Sequence, residues 1–199
     1  MVRKKKEPAS PRARILEAAE RELLEKGPDD LSLRGVARRA GYSPASLYEH
    51  FESREAILQA LADAANAALH ERMAAAAAAA PAGEEALVAI GEAYVRFAHE
   101  ESAPFLVLFQ RLQTRRISPE QAPLPGSAAG LLRSTVEAAV AARGRKNLDV
   151  DRIAWGLWAL SHGIAMLTLG HLAGFEADLR GTTAAVLRPA IRGWLGGEP

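Results

Sequence analysis

The sequence predicts an all-α protein of about nine helices, a small N-terminal hairpin unit followed by a larger helical body. Apolar residues recur at steps of three and four along most of the chain. Helix starts are marked by Ser or Asp, often with Pro next, and stops by Gly or Pro. The composition is rich in Ala, Leu and Arg and sparse in β-branched residues. With 199 residues, 49% hydrophobic and 25% charged, the chain can bury a real core as one domain or two small ones.

Residues 1–9 carry Arg3 and Lys4 to Lys6 without periodicity, a basic arm expected to be disordered. Ser10 and Pro11 suit the N-cap and first residue of the first helix, whose stripe is Ile15, Leu16, Ala19 and Leu23 and whose stop is Gly27. Ser32 caps a second helix with Leu33, Val36, Ala37 and Ala40 on one face, and Gly41 ends it. Ser43 and Pro44 restart the chain, with Leu47, Tyr48 and Phe51 inside or half inside. Two helices joined by so short a glycine turn must cross steeply, as in a helix-turn-helix. An ordinary αα-corner would share the pattern.

In that geometry the second hairpin helix can lie in a DNA major groove, leading with its N-terminal residues. Ser43, Pro44, Ala45 and Ser46 are small enough for close approach. Tyr48, His50 and the amide ends at Ser32 and Ser43 can reach phosphates or base edges. Arg34, with Arg38 and Arg39, adds positive charge on the preceding helix. Residues 1–50 carry eleven Lys and Arg against eight Asp and Glu, while the rest carries fourteen against sixteen. The sign of that bias suits nucleic acid at the N-terminal end.

Residues 12–58 resemble the N-terminal DNA-binding domain of the TetR family of transcriptional regulators. The resemblance rests on Leu31-Ser32, Arg34, Val36-Ala37, Ala40-Gly41, Ser43, Ser46-Leu47-Tyr48, His50-Phe51, Ser53-Arg54 and Leu58, ordered and correctly spaced. It covers about a quarter of the chain. It implies double-stranded operator DNA as partner and a phosphate contact for Arg54. One departure is Gly35, where a better helix former is usual; glycine costs up to ~1 kcal/mol in a helix interior.

Ser53 caps a fourth helix with Ile57, Leu58, Leu61, Ala65 and Leu69 inside, running into the alanines 74–80 and halting at Pro81 to Gly83. Alanine is the best helix former, so the tract is expected to continue the helix as a lever between two domains. The expected division is 1–9 arm, 10–53 DNA-binding unit, 54–83 connecting helix, and 84–199 effector-binding and dimerisation body.

In the body, Leu87, Ile90, Tyr94, Phe97 and Ala98 line a fifth helix from Glu84. Pro104 opens a sixth over Phe105 to Leu112, and residues 115–126 form a Pro- and Gly-rich loop with a capping start at Ser118. A seventh runs from Ser127 to Ala142 and precedes a basic turn at Gly144 to Asn147. The eighth starts at Asp149 or Asp151 and carries Trp155, Trp158, His162 and Met166 on one broad face, while Gly156, Gly163 and Gly170 recur every seven residues as a seam for close approach. The ninth, from about Phe175 to Trp194, carries Leu179, Val186, Leu187, Ile191 and Trp194, and Pro189 should bend or interrupt it. The Trp-Leu and His-Gly tokens of the eighth helix resemble the C-terminal domain of a TetR subgroup with a Trp-His-Gly signature. That resemblance implies an effector pocket and a homodimer through the last two helices.

No catalytic constellation is present: no Gly-rich phosphate loop, no nucleophile elbow, no HExxH. Zero cysteines exclude disulfides, thiol catalysis and thiolate metal sites. His162 and His171 fall about 180° apart on one helix, so no metal and no cofactor are expected. No apolar run can span a bilayer and no signal-peptide core is present, so a cytoplasmic location without membrane contact is expected. Tyr94, Phe97, Phe105, Phe109, Trp155, Trp158 and Met166, with His99, Gln110 and His162 as polar groups, suit a core or the lining of a ligand pocket. An anion would enter unpaired, so a neutral or weakly cationic, largely apolar ligand is expected.

The sequence therefore describes a regulator, not an enzyme: a repressor that binds a palindromic operator as a homodimer and is released by a small apolar or amphipathic effector. The alternative is a helical small-molecule-binding protein or enzyme that never meets DNA.

Overall fold

Serine hydroxyls set most of the helix starts. In the computed structural model, which describes residues 10–27, 30–114, 126–145, 147–173 and 179–196, Ser10 caps α1 (Pro11–Lys26), Ser32 caps α2 (Leu33–Ala40), and Ser43 caps α3 (Pro44–Tyr48). Ser53 caps α4 (Arg54–Ala79) and Ser127 caps α7 (Ala128–Ala142) in the same way. Each accepts from the amide three residues on, satisfying a donor the first turn leaves orphaned. Asp149 does this for α8 (Val150–Leu169). The remaining helices are α5 (Glu84–Glu100), α6 (Ser102–Thr114) and α9 (Leu179–Trp194). Among the described residues every element is helical. The basic arm and the 115–125 loop with Ser118 lie outside them, as do the side chains of residues 110–114, Leu179 and Arg180.

Gly41 closes α2 in the left-handed region at φ 76°, its N–H bonding back to Ala37 and Arg38 carbonyls. The shortness of α3 differs from the sequence reading. The amides of His50 and Phe51 both donate to the Leu47 carbonyl, turning the chain so that Phe51 is buried. α6 begins two residues before Pro104, which therefore sits in a first turn where its missing N–H is harmless. α9 is described from Leu179 and continues through Pro189 without interruption.

The core is continuous from head to body. Ile15, Val36, Leu47, Phe51 and Ile57 fill the three-helix head around α1 to α3. α4 carries that core outward through Leu58, Leu61, Ala65, Leu69 and Met73, and the alanines of the tract are helical up to Ala79. Its far part packs on α5 and α6, and α5 packs in turn on α8 and α9. The glycine seam of α8 differs from the expectation. Gly156 makes room for the Trp194 indole of α9 rather than for a backbone, Gly163 faces open space, and Gly170 lies past the helix end.

Candidate DNA-binding head and effector site

Three arginines of the head are internal braces. Arg12 donates from Nη1 to the His50 carbonyl at 2.9 Å and stacks over Phe51 at 4.0 Å. Arg14 donates to the Ala40 carbonyl at 3.0 Å and stacks over Tyr42. Both place a cation where a hairpin helix exposes its last carbonyls, which favours positive charge. Arg54 donates from Nε to the Leu31 carbonyl at 3.1 Å and pairs with Glu55, so the start of α4 is tied to the start of α2.

A fourth tie is buried. Glu22 of α1 is 1% exposed, bonded by Lys26 at 2.6 Å and reached by Arg39 at 3.4 Å. The hydrogen bond from Lys26, then Arg39, holds this carboxyl below its usual range against the cost of burial. A Cβ at residue 35 would overlap the Glu22 carboxylate. Gly35, the departure from the family pattern, is what lets the carboxylate in. Sequence reasoning missed Glu22 and the braces. The available signal was a lone Glu on the face of Ile15 and Ala19, facing a glycine where a helix former is usual.

With those groups turned inward, the outward face of the hairpin is small. Ser32, Arg34, Ser43, Pro44, Ala45 and Tyr48 are exposed, and Ser46 and His50 are half-buried. The Ser43 and Ser46 hydroxyls lie 3.0 Å apart, and His50 meets Tyr42 edge-on. Arg34 and Arg38 project without a partner among the described residues, whereas Arg39 is held by Glu25 and Glu22.

In the body, Tyr94 of α5, Phe105 and Phe109 of α6 and Trp158 and His162 of α8 converge. Phe105 and Phe109 centroids are 4.7 Å apart, and the Phe109 ring is 4.6 Å from the His162 ring. Phe97 touches the cluster through Phe105. The Tyr94 hydroxyl is 2.9 Å from His162 Nδ1 and accepts from Trp158 Nε1 at 3.2 Å. Burial pushes the Tyr94 phenol well above its ordinary value and the His162 imidazole below its own. His99 instead donates from Nε2 to Thr168 at 2.7 Å, since the Thr168 hydroxyl is directed at the Ile164 carbonyl.

Trp155 and Met166 do not join this cluster. They are 67% and 39% exposed. Trp155 lies only about 20° from His162 round α8 but two turns, about 10 Å, away along it, and Met166 lies a turn beyond His162 on the other side. The face Trp155–Trp158–His162–Met166 is thus split between cluster and surface. Gln110's side chain lies outside the described residues, and His171 falls in the turn after α8. Among the described residues no helix is long and apolar enough to cross a membrane.

Comparison with known proteins matches both halves. The family model for bacterial regulatory proteins of the tetR family matches residues 15–61, and that for the tetracyclin repressor-like C-terminal domain matches residues 87–189. The HTH-type transcriptional regulator TtgR of Pseudomonas putida is 40% identical over 72 residues, a segment spanning 36% of this chain and 32% of that protein's length. A solved structure of a protein of unknown function from Rhodococcus sp. RHA1 covers 97% of this chain and all of its own at 28% identity, with a TM-score of 0.78. The TetR-family regulator PfmR of Thermus thermophilus, at 24% identity over 94% of this chain and 99% of its own, shares the fold with a TM-score of 0.63. The two family models cover the hairpin head and most of the helical body, and the chain belongs to the TetR family of transcriptional regulators, with a helix-turn-helix DNA-binding domain at its N-terminal end.

Proposed function

We propose that this regulator is a repressor: a homodimer that holds two half-sites of a palindromic operator and lets go when a small apolar or amphipathic effector enters the body. The observation that carries the reading is the run of α4. One 26-residue helix starts at the DNA-binding hairpin and ends packed on α5 and α6, the helices bearing Tyr94, Phe105 and Phe109. A ligand that separates those rings must shift what α4 rests on. It acts only through its differential affinity for the two arrangements.

The head's outward residues support the operator role. Ser43, Pro44, Ala45 and Tyr48 lead into the major groove with Ser46 and His50 behind them, while Arg34 and the Ser32 end of α2 meet phosphates. Arg54, braced at the Leu31 carbonyl, stands at the start of α4, where the family resemblance implies a phosphate contact.

Two unpartnered apolar arcs support the dimer. On α8, Trp155, Ala159 and Met166 face outward beside the open Gly163; on α9, Ala185, Val186, Pro189 and Gly193 do the same. A two-fold bundle of these four helices would bury more than the ~1,000 Å² a stable interface needs. Fluorescence anisotropy with the DNA upstream of this protein's own gene tests the proposal. Saturable, salt-sensitive binding reversed by an apolar compound supports it, and binding no tighter than to random duplex refutes it.

A further inference from the structure

An indole N–H can only donate, so Trp158 Nε1 at 3.2 Å makes the Tyr94 oxygen an acceptor. Tyr94 is 4% exposed, and a buried hydroxyl hydrogen without an acceptor is costly. The other group within reach of that hydroxyl is His162 Nδ1 at 2.9 Å. The Tyr94 O–H therefore donates to Nδ1, and the neutral ring carries its hydrogen on Nε2. Nε2 has no partner among the described residues. No side-chain nitrogen or oxygen there is both buried and unpaired, so Nε2 opens onto accessible space, flanked by the rings of Phe109 and Trp158.

We infer that Trp158 and Tyr94 fix the polarity of His162, so that the effector site presents one N–H donor and takes an uncharged, largely apolar molecule bearing a hydrogen-bond acceptor such as a carbonyl oxygen. The inference rests on the effector reading above and narrows it to a ligand class. A carboxylate would favour the imidazolium, which needs a proton on Nδ1. That proton displaces the Tyr94 bond and strands the phenol hydrogen in a buried place. Burial already disfavours the charged ring. Arg72, which stacks on the neighbouring Phe97, is engaged by Glu100 and Glu101 and offers an anion no free charge. A cation that can only donate meets N–H with N–H. Of the weakly cationic ligands expected from the sequence, only those that also bear an acceptor fit.

Two measurements on the full-length protein test this separately. Long-range proton–nitrogen correlation spectra of histidine-labelled protein at neutral pH report the tautomer of His162 without any ligand. The expected result is the Nε2–H form, with the preference lost in Tyr94→Phe. An Nδ1–H form in the wild-type protein overturns the relay, whatever the variant does. Calorimetric titration with 2-acetylnaphthalene, 2-ethylnaphthalene and 2-naphthoate then reads the selectivity. The ketone should bind roughly tenfold tighter than the hydrocarbon, the worth of one satisfied hydrogen bond, and tighter than the carboxylate. Equal binding of ketone and hydrocarbon, or tightest binding of the carboxylate, overturns the ligand class. If the tautomer is as expected and none of the three binds, the effector site at these rings is overturned and the relay is only a feature of the core.

Discussion

Glu22 and Gly35 form one unit, because the carboxylate occupies the volume a side chain at residue 35 would need. Gly35→Ala should therefore lower the denaturant midpoint, by about 1–3 kcal/mol of overpacking, although alanine is the better helix former. A rise in the midpoint would refute the pairing. Because the folded carboxyl of Glu22 lies below its unfolded value, the stability it contributes is present above the ordinary carboxylate range. It is lost as pH falls through the lower folded value. Glu22→Gln should thus lower Tm at neutral pH, and the gap to wild type should close in acid; a gap independent of pH contradicts the assignment. Tyr48→Ala should weaken operator binding without touching Tm, since the ring is 55% exposed. Arg54→Ala should lower both, because losing the brace to the Leu31 carbonyl loosens the joint between α4 and the hairpin; anisotropy and melting curves on the same samples separate the two. Which arginines stay outward was only partly legible in the sequence, which sets Arg39 beside Arg34 and Arg38 although Glu22 and Glu25 hold it. Arg12, Arg14, Arg34 and Arg38 look alike until the fold decides which carbonyls lie near them.

At the scale of the element, caps made the fold legible. Ser10, Ser32, Ser43, Ser53, Ser127 and Asp149 are short-range signals, and the helices after them begin where the residue types place them. The start of α6 was less legible because Pro104 marks a first turn without saying which residue of it. The aromatic face of α8 was over-read because sharing a face does not mean sharing a neighbour: Trp155 is about 20° from His162 round the helix but about 10 Å from it along the axis. No local pattern shows the joint between head and body. There Arg72 of α4 reaches the Glu100 and Glu101 carboxylates at the α5–α6 elbow, while Glu20 of α1 faces Glu101. Burial, then Glu101 and Glu17, raises the Glu20 carboxyl. A raised folded value means that stability falls as pH rises through the window just above the ordinary carboxylate value. Glu20→Gln should accordingly raise Tm at neutral pH and flatten that slope, and an unchanged or lower Tm would show that the carboxylate is not strained there.

At the scale of the molecule, the proposed homodimer rests on the outward arcs of α8 and α9. Ala159→Glu puts a charge on an exposed position that touches no core, so a folded monomer with steeply weakened operator affinity is the expected outcome. Sedimentation of wild type and variant at micromolar concentration decides, and a monomeric wild type ends the idea. The inward arginines reach further, into how the protein finds its site. Non-specific retention on DNA grows with each cation offered to phosphate. Arg12, Arg14, Arg39 and Arg54 are committed to carbonyls and carboxylates, which leaves Arg34 and Arg38 as the unpaired cations of the described head. On the proposed reading such a head should hold random duplex weakly, and the expected search for an operator is by many brief landings rather than by long slides. On the same reading, the four positive charges of residues 3–6 have the task of setting how often such landings are made.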